Sequence, residues 1–285
     1  MSWVGGKRAL RDEILLRFPL GYARYIEVFG GGGWVLFHKP PRGDFEVYND
    51  FNPNLTNLYR CVRDYPEQLI EALEFTINSR LDFKYLRKVL KTPTELPDVK
   101  RAAMFYQLIR LSYASKLDSY SLQPHPMWAN FPLIRQCNQR LQKVNVENLD
   151  FARLIRQYDR PGAFFYCDPP YFATEGYYDD VNFTVADHER LAEVLCNIEG
   201  KFLLSYNDCP QIRKIYARPG LIIEGTSRLN SMAQRYEGGA MYAELLIANY
   251  DTTERTRMYR QLTLLDDQAE RERLLTERKI IYGSN

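Results

Sequence analysis

One apolar stretch that ends abruptly in an acid and two prolines constrains this chain more than any other feature. Residues 163–167 read A-F-F-Y-C and follow a Pro-Gly pair, a pattern typical of a buried β-strand. Pro169 and Pro170 must end that strand, because proline has no backbone N–H to donate to a neighbouring strand. Asp168 is therefore predicted at the carboxyl end of a strand, where open α/β sheets bind their ligands.

The residues around this strand end favour binding of an amino group attached to a flat ring. Asp168 offers a carboxylate and Pro169 a stiff backbone carbonyl, and both accept hydrogen bonds. Tyr171 adds an aromatic face on which a ring can stack. An acid followed by two prolines would fit a capped turn equally well, but the tyrosine in the fourth position favours a ligand site.

A second motif lies nearer the N-terminus. A strand pattern at 25–29 runs into four glycines at 30–33, and a helix pattern begins at Trp34. Strand, glycine turn and helix form the nucleotide-binding arrangement, in which the ligand reaches the backbone and the helix N-terminus. About 20 residues on, the strand pattern at 45–48 leads to Asp50, an acid that can hold both ribose hydroxyls. Because no Lys-Ser/Thr pair follows the glycines, the pattern predicts a nucleoside ligand without a triphosphate.

Together with Trp-x-Gly-Gly-Lys at residues 3–7, these motifs resemble those of the DNA adenine methyltransferases, the Dam-like family in which a cofactor motif precedes a recognition insert and then D-P-P-Y. The resemblance covers roughly residues 1–250. It implies that S-adenosylmethionine is the cofactor and that a flipped-out adenine in duplex DNA is methylated on its amino group. The matching cofactor-site residues are Trp3, Lys7, Glu27, Phe29, Gly31, Gly33, Asp50 and Asp168. The matching catalytic motif is Asp168, Pro169, Pro170 and Tyr171.

Asp150 is a further cofactor-binding candidate. It follows a strand pattern at 141–146, and a polar residue at this strand end commonly meets the cofactor's adenine in related folds. Capping of the next helix explains the same residue equally well, so the sequence leaves both roles open.

The order of the patterns predicts a mostly parallel, Rossmann-like methyltransferase sheet of about seven strands with helices on both faces. Residues 1–60 and 144–250 are predicted to form a discontinuous catalytic domain. Residues 61–143 lose the βαβ rhythm and are predicted to form a helical insert that recognises the DNA target. Residues 251–285 carry balanced charge and are predicted to form a helical tail.

The predicted insert has a local excess of positive charge. Between residues 101 and 145 there are six basic residues and a single acid, Asp118. This excess suits contacts with phosphates, although a solvated helix face would explain it as well. The DNA-binding candidates are Arg110, Lys116, Arg135 and Arg140 and, in a loop at 226–240, Arg228, Asn230 and Arg235.

Composition limits the remaining classes of function. The net charge of +2 means that a basic surface must be local. Five scattered cysteines without paired spacing argue for a reducing compartment and against a zinc site, so no metal is expected. The absence of a leader or membrane-length apolar run predicts a cytoplasmic protein. Double-stranded DNA is the predicted partner, and a cognate restriction endonuclease is a candidate partner.

Two alternatives stay open at this point. One is a methyltransferase that acts on the amino group of cytosine, on RNA or on a protein amide. The other is a DNA-binding protein whose active site is catalytically silent.

Overall fold

The computed structural model describes residues 7, 9–41, 45–92, 97–113, 117–123, 126–172, 183–229, 241–262 and 276. Within these residues, seven strands form one sheet. The strands are β1 (Arg24–Glu27), β2 (Phe45–Asn49), β3 (Val144–Glu147), β4 (Ala163–Cys167), β5 (Lys201–Asn207), β6 (Ile222–Leu229) and β7 (Met241–Ala248).

The order of strands in the sheet is β3-β2-β1-β4-β5-β7-β6. Strands β1 to β5 pair in parallel, and β7 lies antiparallel to both β5 and β6. The predicted fold class, a mostly parallel methyltransferase-like sheet of about seven strands, is confirmed. From β1 the chain builds the sheet outward in one direction, through β2 to β3, and from β4 it builds in the other. The crevice between the carboxyl ends of β1 and β4 is therefore the place where such sheets bind ligands.

Helices connect the strands and cover both faces of the sheet. They are α1 (Arg11–Leu16), α2 (Trp34–His38), α3 (Pro53–Asp64), α4 (Pro66–Glu74), α5 (Arg80–Val89), α6 (Val99–Leu111), α7 (Phe131–Leu141), α8 (Phe151–Tyr158), α9 (Val185–Cys196), α10 (Pro210–Tyr216) and α11 (Glu254–Leu262). Helix α9 begins with a capping box, in which the side chains of Thr184 and Asp187 accept each other's backbone N–H.

The alternation of side chains along β4 explains why its sequence is apolar throughout. Phe164 and Tyr166 point into a core formed with helices α1 to α7. Phe165 and Cys167 point into a second core formed with α8, α9 and α10. A parallel strand covered on both faces needs apolar residues at every position, which is the pattern that predicted this strand.

The predicted helical insert corresponds to helices between β2 and β3. Its predicted start at residue 61 falls inside α3, which begins at Pro53 under a cap from the Asn52 side chain. Leu58 of α3 and Phe105 of α6 share a core with Tyr48 of the sheet. The division into a catalytic domain and a separate recognition insert therefore stays a prediction.

Two element boundaries differ from the sequence expectation. The strand expected at 141–146 begins only at Val144, because α7 continues as far as Leu141. Leu141 is apolar because it is fully buried at the end of that helix. In the tail, α11 supports the helical expectation as far as residue 262, and almost all of the rest lies outside the described residues. Among the helices that the structure describes, none is long and apolar enough to cross a membrane.

Candidate active site

The glycine loop after β1 has a shape that only glycine permits. Gly31 and Gly33 have φ angles of 50° and 64°, in the left-handed region, and α2 starts at the next residue. A Cβ on Gly30 would lie 2.2 Å from the ring of Tyr48 on β2. The hydroxyl of Tyr48 in turn donates a hydrogen bond to the Gly31 carbonyl over 2.7 Å. The loop is thus fixed against the neighbouring strand end.

Asp50, directly after β2, is bonded to this loop. Its Oδ2 accepts the N–H of Gly31 over 2.9 Å, and its Oδ1 accepts the N–H of Asn52 over 2.8 Å. Burial raises the pKa of Asp50, and these two N–H groups oppose the rise because they stabilise the charged form. The carboxylate keeps further lone pairs with which it can accept the hydroxyls of a ribose.

Glu27 and Phe29 lie just before the glycine loop, at the end of β1, and are packed against neighbouring residues. Glu27 is almost completely buried, and its carboxyl accepts the hydroxyl of Tyr25 over 2.7 Å. Burial raises the pKa of Glu27 to about 8, and the backbone N–H of Leu36 in the first turn of α2 opposes the rise. Phe29 packs on Phe151 at the start of α8. A direct cofactor contact by Glu27 or Phe29 remains a prediction.

The D-P-P-Y motif lies at the end of β4, beside the glycine loop of β1. Lys7 Nζ and Asp168 Oδ1 are 2.5 Å apart, and Ser205 of β5 donates to the same oxygen over 3.1 Å. Burial raises the pKa of Asp168, and the ammonium of Lys7 opposes that rise. Pro169 and Pro170 are buried, whereas the Asp168 side chain keeps 17% of its surface exposed. The partly exposed Asp168 side chain is thus followed by two buried prolines.

Tyr171 is held on several sides. Its hydroxyl donates to Glu244 Oε2 over 2.7 Å. Its ring lies nearly parallel to that of Tyr242, with centroids 6.3 Å apart, and packs beside Tyr206. The Lys7 ammonium lies 4.5 Å from the centre of the ring. Burial raises the pKa of Tyr171 well above 10, so the hydroxyl remains a donor at neutral pH.

Several polar residues at this edge were not predicted from the sequence. Asn207, the last residue of β5, bonds to both the N–H and the carbonyl of Phe172, each over 3.1 Å. Ser205 bonds Asp168, and Glu244 bonds Tyr171. Each is a polar residue in an otherwise apolar strand, and that signal was available in the sequence.

Asp150 caps α8. Its Oδ1 accepts the N–H groups of Ala152 and Arg153, and the carboxylate also pairs with the guanidinium of Arg190, with the closer contact at 2.8 Å. The capping role weighed for Asp150 is therefore observed. Contact of Asp150 with a cofactor adenine remains a prediction.

The basic candidates of the insert have different surroundings. Arg135 is half exposed on α7 and forms a surface ion pair with Glu67. Arg140 is largely buried and bonds Glu46 over 2.5 Å and the Leu36 carbonyl over 3.0 Å. These internal bonds argue against a phosphate contact by Arg140, because its guanidinium joins α7 to the sheet. Arg110 lies in the last turn of α6 and is half-buried.

The remaining candidates lie outside what the structure describes. Trp3, Lys116, Asn230 and Arg235 are outside the described residues, and Arg228 is described only as part of β6, without its side chain. In the described part of the chain, no three His, Cys, Asp or Glu side chains are grouped as a metal site would require.

Known proteins similar to this chain include one family of methyltransferases and several individual relatives. The family model of the D12 class N6 adenine-specific DNA methyltransferases matches residues 3–235. A type II methyltransferase of Lactococcus lactis subsp. cremoris, M1.LlaDCHI, is 27% identical over 274 residues, which are 87% of this chain and 94% of the relative. The Retron Ec67 DNA adenine methylase of Escherichia coli is 30% identical over 234 residues, 76% of this chain and 79% of the relative. A DNA adenine methylase of Serratia marcescens is 28% identical over 272 residues, 86% of this chain and 96% of the relative.

Proposed function

Because the chain belongs to the D12 class of N6 adenine-specific DNA methyltransferases, we propose that Asp168, Pro169 and Tyr171 act directly on the target adenine. The enzyme methylates adenine in DNA, and S-adenosylmethionine is the methyl donor of this family. One observation carries the assignment of residues. Asp168 and Tyr171 stand at the end of β4, beside the glycine loop of β1 and the acid that follows β2.

The chemistry of the residues at the ends of β1 and β2 fits the cofactor. Asp50 offers carboxylate oxygens to a ribose, and the glycine loop leaves its backbone accessible. Lys7 is a buried cation that suits the cofactor's carboxylate. When bound, S-adenosylmethionine supplies an electrophilic methyl group on a sulfonium.

Asp168 and the Pro169 carbonyl would accept the hydrogens of the adenine amino group. That nitrogen is a weak nucleophile, because its lone pair is delocalised into the ring. Acceptors aimed at its hydrogens stabilise the positive charge that develops as the nitrogen becomes pyramidal. Both contacts that Asp168 makes with described side chains use Oδ1, so we assign Oδ2 to the amino group.

Tyr171 would stack on the flipped base. Stacking on an aromatic side chain contributes about 1–3 kcal/mol per base. This contribution offsets part of the cost of unstacking and unpairing the adenine in the duplex. It also orients the ring so that the amino group faces Asp168, and orientation of the reacting atoms supplies a large part of the rate.

Nucleoside analysis tests the proposal against its alternatives. DNA, RNA and protein from cells that express the wild type or Asp168→Ala would be digested and examined for methylated products. We expect N6-methyladenine only in DNA from cells that express the wild-type protein. Methylation-sensitive sequencing of that DNA would locate the target adenine. A methylated cytosine amino group, RNA base or protein amide would contradict the proposal. Cofactor binding without any product would support the silent DNA-binding protein instead.

We also propose that basic and polar residues of the insert and of residues 226–240 contact DNA phosphates. Arg135 supports this proposal because 52% of its side chain is exposed on α7. Arg110, Lys116, Arg228, Asn230 and Arg235 are proposed on the basis of the sequence alone.

Salt dependence tests the proposed DNA surface. DNA affinity should fall with salt with a log–log slope of about −0.9 per phosphate contact. Arg135→Ala should reduce the magnitude of that slope by about 1. Arg140→Ala is a matched control from the same helix, because its guanidinium bonds Glu46 inside the protein, and it should leave the slope unchanged. An affinity that does not depend on salt would contradict an electrostatic DNA surface.

Three further features belong to the proposal. We propose a cytoplasmic location, which is supported by the five scattered cysteines, all of them free thiols. A cognate restriction endonuclease is suggested by the relative named as a type II methyltransferase. The adenine-containing target sequence would be read by residues of the insert.

A further inference from the structure

Strand β7 brings an acid to the catalytic edge of the sheet. Because β7 runs antiparallel to β5, its first residues lie where the parallel strands end. Glu244, near the start of β7, is directly opposite Asn207, the last residue of β5. Tyr242, two residues earlier, points to the same side of the sheet as Glu244. Both residues of β7 contact Tyr171.

Glu244 is fully buried, and removing a carboxylate from water is unfavourable. Its side chain has 0% of its surface exposed, and its negative charge adds to the influences that raise the pKa of Asp168. A buried carboxylate is normally tolerated only when it is bonded, since leaving water costs several kcal/mol. An apolar residue would fill this position in β7 without that cost, as Leu245, Leu246 and Ile247 do in the positions that follow. The burial of an acid here therefore points to a specific task.

The bond between Glu244 and Tyr171 holds the far end of the tyrosine. Near its backbone, the side chain of Asn207 bonds both the N–H and the carbonyl of the next residue, Phe172. At its tip, the hydroxyl donates to Glu244 over 2.7 Å. These bonds restrict rotation of the Tyr171 side chain, so the plane of its ring is fixed before a base binds.

We propose that Glu244 is a positioning residue for adenine methylation, which acts through the Tyr171 hydroxyl to fix the ring on which the flipped base stacks. This inference rests on the stacking role assigned to Tyr171 under the proposed function. A ring fixed in advance saves the entropy of ordering it on binding, so the base stacks more tightly and its amino group is better aligned. Glu244 itself need not touch the base.

Variants of Glu244 and Tyr171 test the proposal. Glu244→Ala deletes the acceptor, Glu244→Gln keeps an oxygen acceptor, and Tyr171→Phe deletes the donor with little change in volume. Single-turnover methylation would be measured on the unmodified duplex at saturating DNA and cofactor. Base flipping would be measured on a separate duplex that carries 2-aminopurine in place of the mapped target adenine, because 2-aminopurine lacks the 6-amino group that accepts the methyl. Glu244→Ala and Tyr171→Phe should each slow transfer about tenfold or more, the effect of losing a hydrogen bond to a charged group. Glu244→Gln should stay within about threefold of the wild type, and S-adenosylmethionine affinity should be unchanged in all three.

A double-mutant cycle separates this role from a general structural one. If Glu244 acts through the hydroxyl, the double variant Glu244→Ala with Tyr171→Phe should be no slower than the slower single variant by more than about twofold. Effects that multiply would overturn the proposal, and so would a wild-type rate for Glu244→Ala or a Glu244→Gln as slow as Glu244→Ala. If Glu244→Ala does not fold, Tyr171→Phe still decides, because a wild-type rate in that variant contradicts the proposal.

Glu224 on the adjacent strand β6 offers a matched control. It is a half-buried carboxylate that bonds Arg17 over 2.7 Å and Thr252, away from Tyr171. Glu224→Gln should leave methyl transfer and the 2-aminopurine signal unchanged, whatever it does to stability. Tyr171→Ala tests the underlying proposed function separately. If that variant flips and methylates the base normally, the stacking role of Tyr171 fails; if it loses both while Glu244→Ala and Tyr171→Phe do not, only the role of Glu244 fails.

Discussion

In the cofactor half of the site, formed by the ends of β1 and β2, the glycine loop and the acid bonded to it come from one short stretch of chain. In it, Asp50 accepts the N–H of Gly31, only 19 residues earlier. The base half, formed by the ends of β4, β5 and β7, is held by side chains far apart in the sequence. There, Ser205 meets Asp168 across 37 residues, and Tyr171 meets Glu244 across 73.

This difference implies two kinds of sensitivity to substitution. The cofactor half depends on backbone shape, so changes there should alter cofactor affinity or the stability of the loop. The base half depends on side chains that the complete sheet brings together, so changes there should alter the methyl-transfer step. Variants that change only cofactor affinity or only the rate of methyl transfer would support this division. Variants that change both would contradict it.

The largest effect on affinity is expected from Asp50→Ala. The variant loses the carboxylate that we assign to the ribose, and each hydrogen bond to a charged group contributes about 1.5–3 kcal/mol. Calorimetry should show S-adenosylmethionine affinity reduced by at least tenfold. Asp50→Asn keeps one carbonyl acceptor, so its S-adenosylmethionine affinity should lie between those of the wild type and Asp50→Ala. Wild-type affinity in a folded Asp50→Ala protein would remove Asp50 from the cofactor half.

A smaller effect, on stability, is expected from Gly30→Ala. The added Cβ would lie 2.2 Å from the Tyr48 ring, so the loop or the ring must move, and overpacking of this kind costs about 1–3 kcal/mol. Denaturant unfolding should show the loss, and cofactor affinity should fall with it. Gly21→Ala is the matched control, because a Cβ there meets nothing within 4 Å, and it should unfold like the wild type. Equal stability of the two variants would show that the glycine loop does not need to approach β2 so closely.

The contrast between the halves also explains what the sequence could predict. Gly31, Gly33 and Asp50 are close in sequence and carry a recognisable spacing, so the sequence predicts both the loop and its acid. Asp168 and Tyr171 were identified because two prolines fix their position at the end of β4.

Residues that support the base half could not be assigned in the same way. Glu244 contacts Tyr171 only because β7 enters the sheet antiparallel, next to β5, and no local pattern specifies that placement. Ser205 and Asn207 are polar residues in a mostly apolar strand, but their partners depend on the neighbouring strand ends. Arg140 is the opposite case: its charge suggests a DNA contact, and its ion pair with Glu46 of β2 argues against that contact. Partners brought together by the tertiary fold decide such cases.

A further effect is expected in the pH dependence of stability that Glu27, the last residue of β1, imposes. Its pKa rises from 4.5 to about 8 on folding, so between those values the folded chain holds a proton that the unfolded chain releases. Its contribution to stability is therefore complete below pH 4.5 and is lost as the pH rises through 8, with a slope of at most about 1.4 kcal/mol per pH unit.

Glu27→Gln removes that titration. Free energies of unfolding measured from pH 5 to 8 should decline more steeply with pH in the wild type than in Glu27→Gln. Parallel curves would show that the Glu27 carboxyl does not hold a proton beneath the glycine loop.

Asp168→Asn tests most directly the claim that the base half performs the chemistry. The variant keeps a carbonyl acceptor but loses the charge that stabilises the developing ammonium, so transfer itself should slow by about 100- to 1000-fold. The measurement is single-turnover methylation at saturating DNA and S-adenosylmethionine, with DNA binding measured alongside. Binding close to that of the wild type together with slow transfer is the predicted result. Transfer at the wild-type rate would reduce Asp168 to a partner of Lys7 at the end of a strand and would contradict the account.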